Sequence, residues 1–194
     1  DGATKSSTFT LTEGDNSNLT IQETDLAGNV ESIAIPKVTL DTIAPTLELI
    51  SSVPALTNQA TLTLEYRSDG IAKSKAFTLK EGVNSDLVLE DADEAGNIGR
   101  IIFSVELDTI APSVSLVSAI PSLTNNSALT VDYTSDGVAK SRTFTLTEGE
   151  NSNLTIQETD LAGNVESIAI PKVILDTIAP TLELISKVPA LTNQ

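Results

Sequence analysis

The side chains in this sequence best suited to chemistry are carboxylates and carboxamides that return at fixed spacing. One set is Asp41, Asp69, Asp91, Asp93 and Asn97, with Glu13 and Asn16 upstream; a second is Asp108, Asp136, Glu158, Asp160 and Asn164, with Glu81 and Asn84 upstream. Ca²⁺ takes six to eight oxygen ligands, so each set, if gathered at one point, is a candidate calcium site. Carboxylates crowded together repel unless a cation or protons neutralise them. The alternative is that Asp and Asn stand there as turn formers, bonding local backbone amides. Paired carboxylates also serve acid–base hydrolysis. Here they recur once per repeat without an aromatic sugar platform, which argues against catalysis.

Composition removes most other chemistry. The 194 residues hold 11 Lys+Arg against 27 Asp+Glu, a formal charge of −16, with no His, Cys, Met or Trp. Nucleic-acid binding rests on clustered Lys and Arg and is excluded. Thiol and imidazole nucleophiles, zinc sites and disulfides have no residues to build them. No run approaches the roughly 18 to 20 apolar residues of a membrane helix, so no membrane insertion is expected from this segment. The six aromatics leave the cores small and aliphatic.

The elements that must position these residues repeat. Asp-Thr-Ile-Ala-Pro begins at Asp41, Asp108 and Asp176, spacings of 67 and 68 residues. Glu-Gly pairs (Glu13, Glu81, Glu148), Gly-Asn pairs (Gly28, Gly96, Gly163) and Asp-Gly pairs (Asp1, Asp69, Asp136) keep step with it. Such self-similarity marks an array of supersecondary units. Residues 1–59 and 136–194 agree at all but six positions, so alternate repeats are near copies with a longer period of 135. The reading is the C-terminal part of one repeat (1–40), two whole repeats (41–107 and 108–175) and the start of another (176–194). Completion of the first part by residues 176–194 of a neighbouring chain lacks any equivalent of the strand at Ala60 to Ser68.

Within a repeat the apolar period is two, as half-buried antiparallel strands require. Leu62, Leu64, Tyr66, Phe77, Leu79, Leu87, Leu89, Ile101 and Phe103 are the expected core of the first whole repeat. Expected strands are Thr46 to Ile50, Ala60 to Tyr66, Lys75 to Leu79, Leu87 to Glu90 and Ile98 to Leu107. Thr-rich strands with turns every 8 to 12 residues predict an all-β fold of small Ig-like β-sandwiches joined by short rigid linkers. Alternating strand direction brings the Asp-Gly and Gly-Asn turns to the end where a repeat begins, and sends the Glu-Gly-x-Asn turn toward the next. The first and third repeats carry an extra residue near Pro36 and Pro171, which predicts a bulge, since Pro cannot donate to a central ladder.

The ordered set Leu79-Lys80-Glu81-Gly82-Val83-Asn84, Asp93-Glu94-Ala95-Gly96-Asn97 and Leu107-Asp108-Thr109-Ile110-Ala111-Pro112 resembles the bacterial Ig-like repeats of large secreted adhesins and surface proteins. That resemblance implies an extracellular or cell-surface array, often stiffened by calcium between domains. The function expected is a structural stalk or fibre segment, not an enzyme, whose partners are neighbouring repeats of its own chain. The other readings are a subunit of a self-assembling filament, contacting further copies, and a glycan- or protein-binding module, which the scarcity of aromatics disfavours. Three minor features carry less. The sequons at Asn18, Asn125 and Asn153 have no meaning for a bacterial chain. Lys5, Lys73 and Lys140 recur in step and are expected to be solvated, which leaves no buried Lys for an intramolecular crosslink.

Overall fold

The computed structural model describes residues 4–186. It divides into two compact units, Asp1–Ala55 with Gln59–Leu107, and Leu56–Asn58 with Asp108–Gln194. The main division, between Leu107 and Asp108, falls at the start of the second Asp-Thr-Ile-Ala-Pro. Every regular element among the described residues is a β-strand.

In the first unit the strands are β1 (Gly14–Asn16), β2 (Thr20–Thr24), β3 (Val30–Ala34), β4 (Val38–Leu40), β5 (Leu47–Leu49), β7 (Thr61–Ser68), β8 (Ile71–Thr78), β9 (Gly82–Ala92) and β10 (Ile98–Leu107), with β6 (Leu56–Thr57) counted in the second. The rest of the second unit holds β11 (Val114–Leu116), β12 (Leu123–Thr124), β13 (Ala128–Ser135), β14 (Val138–Thr145), β15 (Gly149–Asn151), β16 (Thr155–Thr159), β17 (Val165–Ala169) and β18 (Val173–Leu175).

Each whole repeat opens with a three-strand antiparallel sheet, β5-β7-β8 or β11-β13-β14. The hairpin in it closes through two residues, Asp69-Gly70 (φ 48° and 81°) or Asp136-Gly137 (φ 49° and 77°). Positive φ at both positions is the geometry that matches strand twist, and Asp followed by Gly tolerates it. The chain then leaves that sheet: β9 pairs with β10, β16 with β17 and β15 with β18, all antiparallel.

In the second unit the sheets share one core. Leu129, Val131 and Tyr133 of β13 meet Ile156 of β16, Val173 and Leu175 of β18, and the loop residues Leu146 and Ile170, all buried. In the first unit Leu64, Tyr66, Leu79 and Leu89 of the expected core are buried, whereas Leu62, Phe77, Leu87 and Phe103 pack half-buried against a cluster of Leu79, Val105 and Leu107. Phe77 and Phe103 meet edge to face, centroids 5.0 Å apart. Ile101 is only half-buried, and the centre of the sheet lies further along β10, at Val105 and Leu107. Gly99 is also buried, and a Cβ there would stand 2.2 Å from the Pro45 carbonyl oxygen. That close approach is why Gly stands where the third repeat has exposed Glu166.

The expected proline bulge is corrected. The bulge lies in the repeat without the proline: Phe103 faces Leu87 but Val105 faces Asn84, so Ser104 opposes two residues of β9. One of them, Asp86, takes φ 54°, as Asn18 (65°) and Asn153 (64°) do at the matching positions. The extra residue near Pro36 or Pro171 evens that count. The ladder then breaks in both strands, at 35–37 between β3 and β4 and at 170–172 between β17 and β18. Pro171 has no N–H to resume pairing, so bonding stops after Ile170 N–H to Leu154 O (2.8 Å) and restarts at Val173.

Candidate functional site

The recurring acids and amides do come to the turns and linkers, and there each finds a hydrogen-bond donor. The Asp-x-Ala-Gly-Asn turn is closed by its own first residue. Asp93 Oδ1 accepts from Asn97 N–H (2.9 Å) and Oδ2 from the Asn97 side-chain amide (2.9 Å). Asp160 treats Asn164 in the same way, at 2.8 and 2.9 Å. The Asn97 amide pulls the Asp93 carboxyl below its usual range; at Asp160 burial pushes upward but the Asn164 amide and the turn N–H groups prevail, and the result is again lowered.

The same carboxamide reaches the linker. Asn97 Nδ2 donates to the Asp41 carbonyl (3.0 Å) and Asn164 Nδ2 to that of Asp108 (2.7 Å). Asp41 and Asp108 spend Oδ1 on the N–H two residues on, at Ile43 (3.1 Å) and Ile110 (3.0 Å). Asp69 Oδ1 accepts from Thr46 N–H (2.9 Å) and Asp136 Oδ1 from Ser113 N–H (2.8 Å), while their own N–H groups donate back to the same residues. Thus both turns meet the start of their own repeat, as strand direction predicts.

The remaining acids pair with lysine. Asp91 is bonded by Lys73, and Glu158 by Lys140 and by the Tyr133 hydroxyl (2.6 Å). Lys73 and then Ser68 hold the Asp91 carboxyl low; Lys140 and then Tyr133 do the same for Glu158. The partners rise in turn, Lys73 through Asp91, and Lys140 and Tyr133 through Glu158. The expectation of solvated lysines is corrected: Lys5, Lys73 and Lys140 each bridge to the acid 18 residues on, though their side chains stay 66%, 39% and 41% exposed. The signal was that spacing, which places both residues on neighbouring strand ends.

Glu13 reaches the following linker within the first unit, its carboxylate accepting from Thr42 N–H (3.2 Å) and Oγ1 (2.7 Å). Glu148 holds Thr177 in the same way in the second unit, at 3.2 and 2.8 Å. The linker threonine as the partner is what the sequence reading missed. Asn16 turns inward instead, bonding Thr12 N–H (2.9 Å) and the Thr12 and Gly14 carbonyls; Asn84 and Asn151 fold back alike.

As arranged, the acids point at amide and ammonium donors around the turns. Among the described residues no three acidic side chains come together to hold a metal ion. What the arrangement does chemically is fasten backbone: two turns and an acid clamp hold a Pro-ended linker that otherwise has few partners. The chain matches no family model, and no curated protein is significantly similar to it.

Proposed function

We propose that this chain is a structural segment of a bacterial cell-surface or extracellular stalk, built as a tandem array of small Ig-like repeats with boundaries at 41, 108 and 176. The observation that carries the reading is that the same fastening recurs repeat by repeat: Asn97 on Asp41 and Asn164 on Asp108, then Glu13 on Thr42 and Glu148 on Thr177. Side chains that elsewhere perform chemistry are used here to hold linkers. Repeats that each bury their own core give an array whose length grows by copying. Near-identical alternate copies suit a spacer.

The calcium expected from the sequence is not among the supports of this reading. Hydrogen bonds hold the linkers without an ion, and chelation separates the two accounts.

The test is to stretch the 194-residue chain between its ends on a force probe. A load-bearing array gives two separate unfolding events, each releasing roughly 20 nm for about 62 residues at 3.3 to 3.6 Å apiece. One event of twice that length, or extension without resistance, would overturn the proposal.

A further inference from the structure

Residues 1–40 and 136–175 are the same sequence at all but five positions (3, 4, 7, 15 and 39 against 138, 139, 142, 150 and 174), yet they are differently filled. Val173 is fully buried, and its copy Val38 is 40% exposed. Ile156 is fully buried while Ile21 is half-buried, and Ile168 is half-buried while Ile33 is 63% exposed. Leu146 is buried and Leu11 only half-buried. Residues 138–145 form β14 against β13, whereas the described copies, 4–10, form no strand. Identical side chains with unequal burial lack a neighbour.

The polar vacancies identify that neighbour. A cleft of about 500 Å³ is lined by Lys5, Glu23, Asp25, Asn29 and Val30. The matching second-unit residues Glu158 and Asn164 receive the Tyr133 hydroxyl and bond the Asp108 carbonyl. In the first unit Glu23 is bonded by Lys5, and the Asn29 carboxamide donates to Asp25. Every group that fills the second unit at these points lies between residues 108 and 135: the Asp108 carbonyl, the buried Leu129 and Val131, and Tyr133 with its hydroxyl.

We propose that residues 4–40 form a docking surface for a strand segment of this same repeat type, carrying the residues of 108–135. The segment would bury Val38, Ile33 and Ile21, set a tyrosine hydroxyl on Glu23 and a linker carbonyl on Asn29, and pair with residues 4–10. Residues 176–186 of a second copy are a poorer occupant, since they match 41–51 and hold no counterpart of Val131 or Tyr133. The inference rests on the repeat reading and not on the mechanical one, so its failure leaves the force result standing.

The probe is a synthetic peptide with the sequence of residues 108–135, added to the 194-residue chain and followed by calorimetry and amide exchange. The expected result is one peptide per chain, with new protection at 30–34 and 38–40 and none added at 165–169 or 173–175. A peptide carrying Val131→Asp should bind at least about tenfold more weakly, because it would bury a charge in the core. A second arm, free of peptide solubility, fuses residues 108–135 ahead of Asp1 and is expected to add a cooperative unfolding transition. Absent protection together with no added transition would overturn the proposal. Equal binding by the Val131→Asp peptide, or protection of 30–34 that rises with chain concentration alone, would also overturn it.

Discussion

Replacing Asn164 tests whether the linker is held by a carboxamide or by an ion. Asn164→Ala removes the bond to the Asp108 carbonyl (2.7 Å) and the side-chain bond to Asp160 (2.9 Å), while its backbone N–H still reaches Asp160. At about 1 kcal/mol for each bond at a half-buried position, the second unit should lose roughly 2 kcal/mol. In a domain of this size that lowers Tm by about 8 to 16 °C. Asn164→Asp is the sharper variant. It substitutes an acceptor for the donor, setting a carboxylate against the Asp108 carbonyl and the Asp160 carboxylate. It should therefore destabilise more than Asn164→Ala and recover partly as pH falls toward the carboxylate range. Were the site a calcium site, the added oxygen would supply a ligand, and Asn164→Asp would keep or raise stability in calcium. Thermal melts of the three proteins, with calcium and with chelator, read both accounts. Stability of Asn164→Asp equal to wild type would refute the hydrogen-bond reasoning.

Leu64 is fully buried, so Leu64→Ala should cost the first unit about 2 to 5 kcal/mol by urea unfolding, against within about 0.5 for Thr63→Ala on the exposed face. Gly99→Ala should destabilise the first unit by about 1 to 3 kcal/mol, because the new Cβ meets the Pro45 carbonyl, while Glu166→Ala at the matching position of the second unit should stay within about 0.5. The acid and base limbs of stability should both carry the lysine bridges. The Glu158 carboxyl lies lower when folded, so its contribution is present above the ordinary carboxylate range and is lost as pH falls through its folded value. The Lys140 ammonium lies higher when folded, so its contribution is present below the ordinary lysine range and is lost as pH rises through its folded value. Urea midpoints against pH should therefore differ between wild type and Glu158→Gln in the neutral range and converge at both extremes; a constant difference across pH would contradict this.

Much of the fold was legible because strand alternation is local. The last strand was read to the residue, Ile98–Leu107, since its apolar side chains alternate along its whole length. The hairpin strand β8 was read four residues short at its start, because Ile71 to Ser74 are exposed and carry no alternation. The two-residue strand β12, which pairs in parallel with β18, has no period to detect. Pro171 was correctly flagged as unable to join a ladder, but whether one extra residue makes a bulge or removes one depends on the facing strand. The turn residues of the site were legible for the same local reason. Where their side chains point was not: an aspartate at a turn suits an ion or an amide equally until the N–H groups around it are placed. Glu13 and Thr42 lie 29 residues apart, and nothing in either residue marks the other.

The account's central claim is that each repeat holds its linker through its own side chains. Amide exchange at Ile43 and Ile110, whose N–H groups bond Asp41 and Asp108, reads that claim where it acts. Measured on the whole chain in excess calcium and then in excess chelator, protection at these two amides is predicted to stay unchanged and to fall at Ile110 when Asp108→Ala removes the acceptor. Protection lost on chelation and restored by calcium would contradict it.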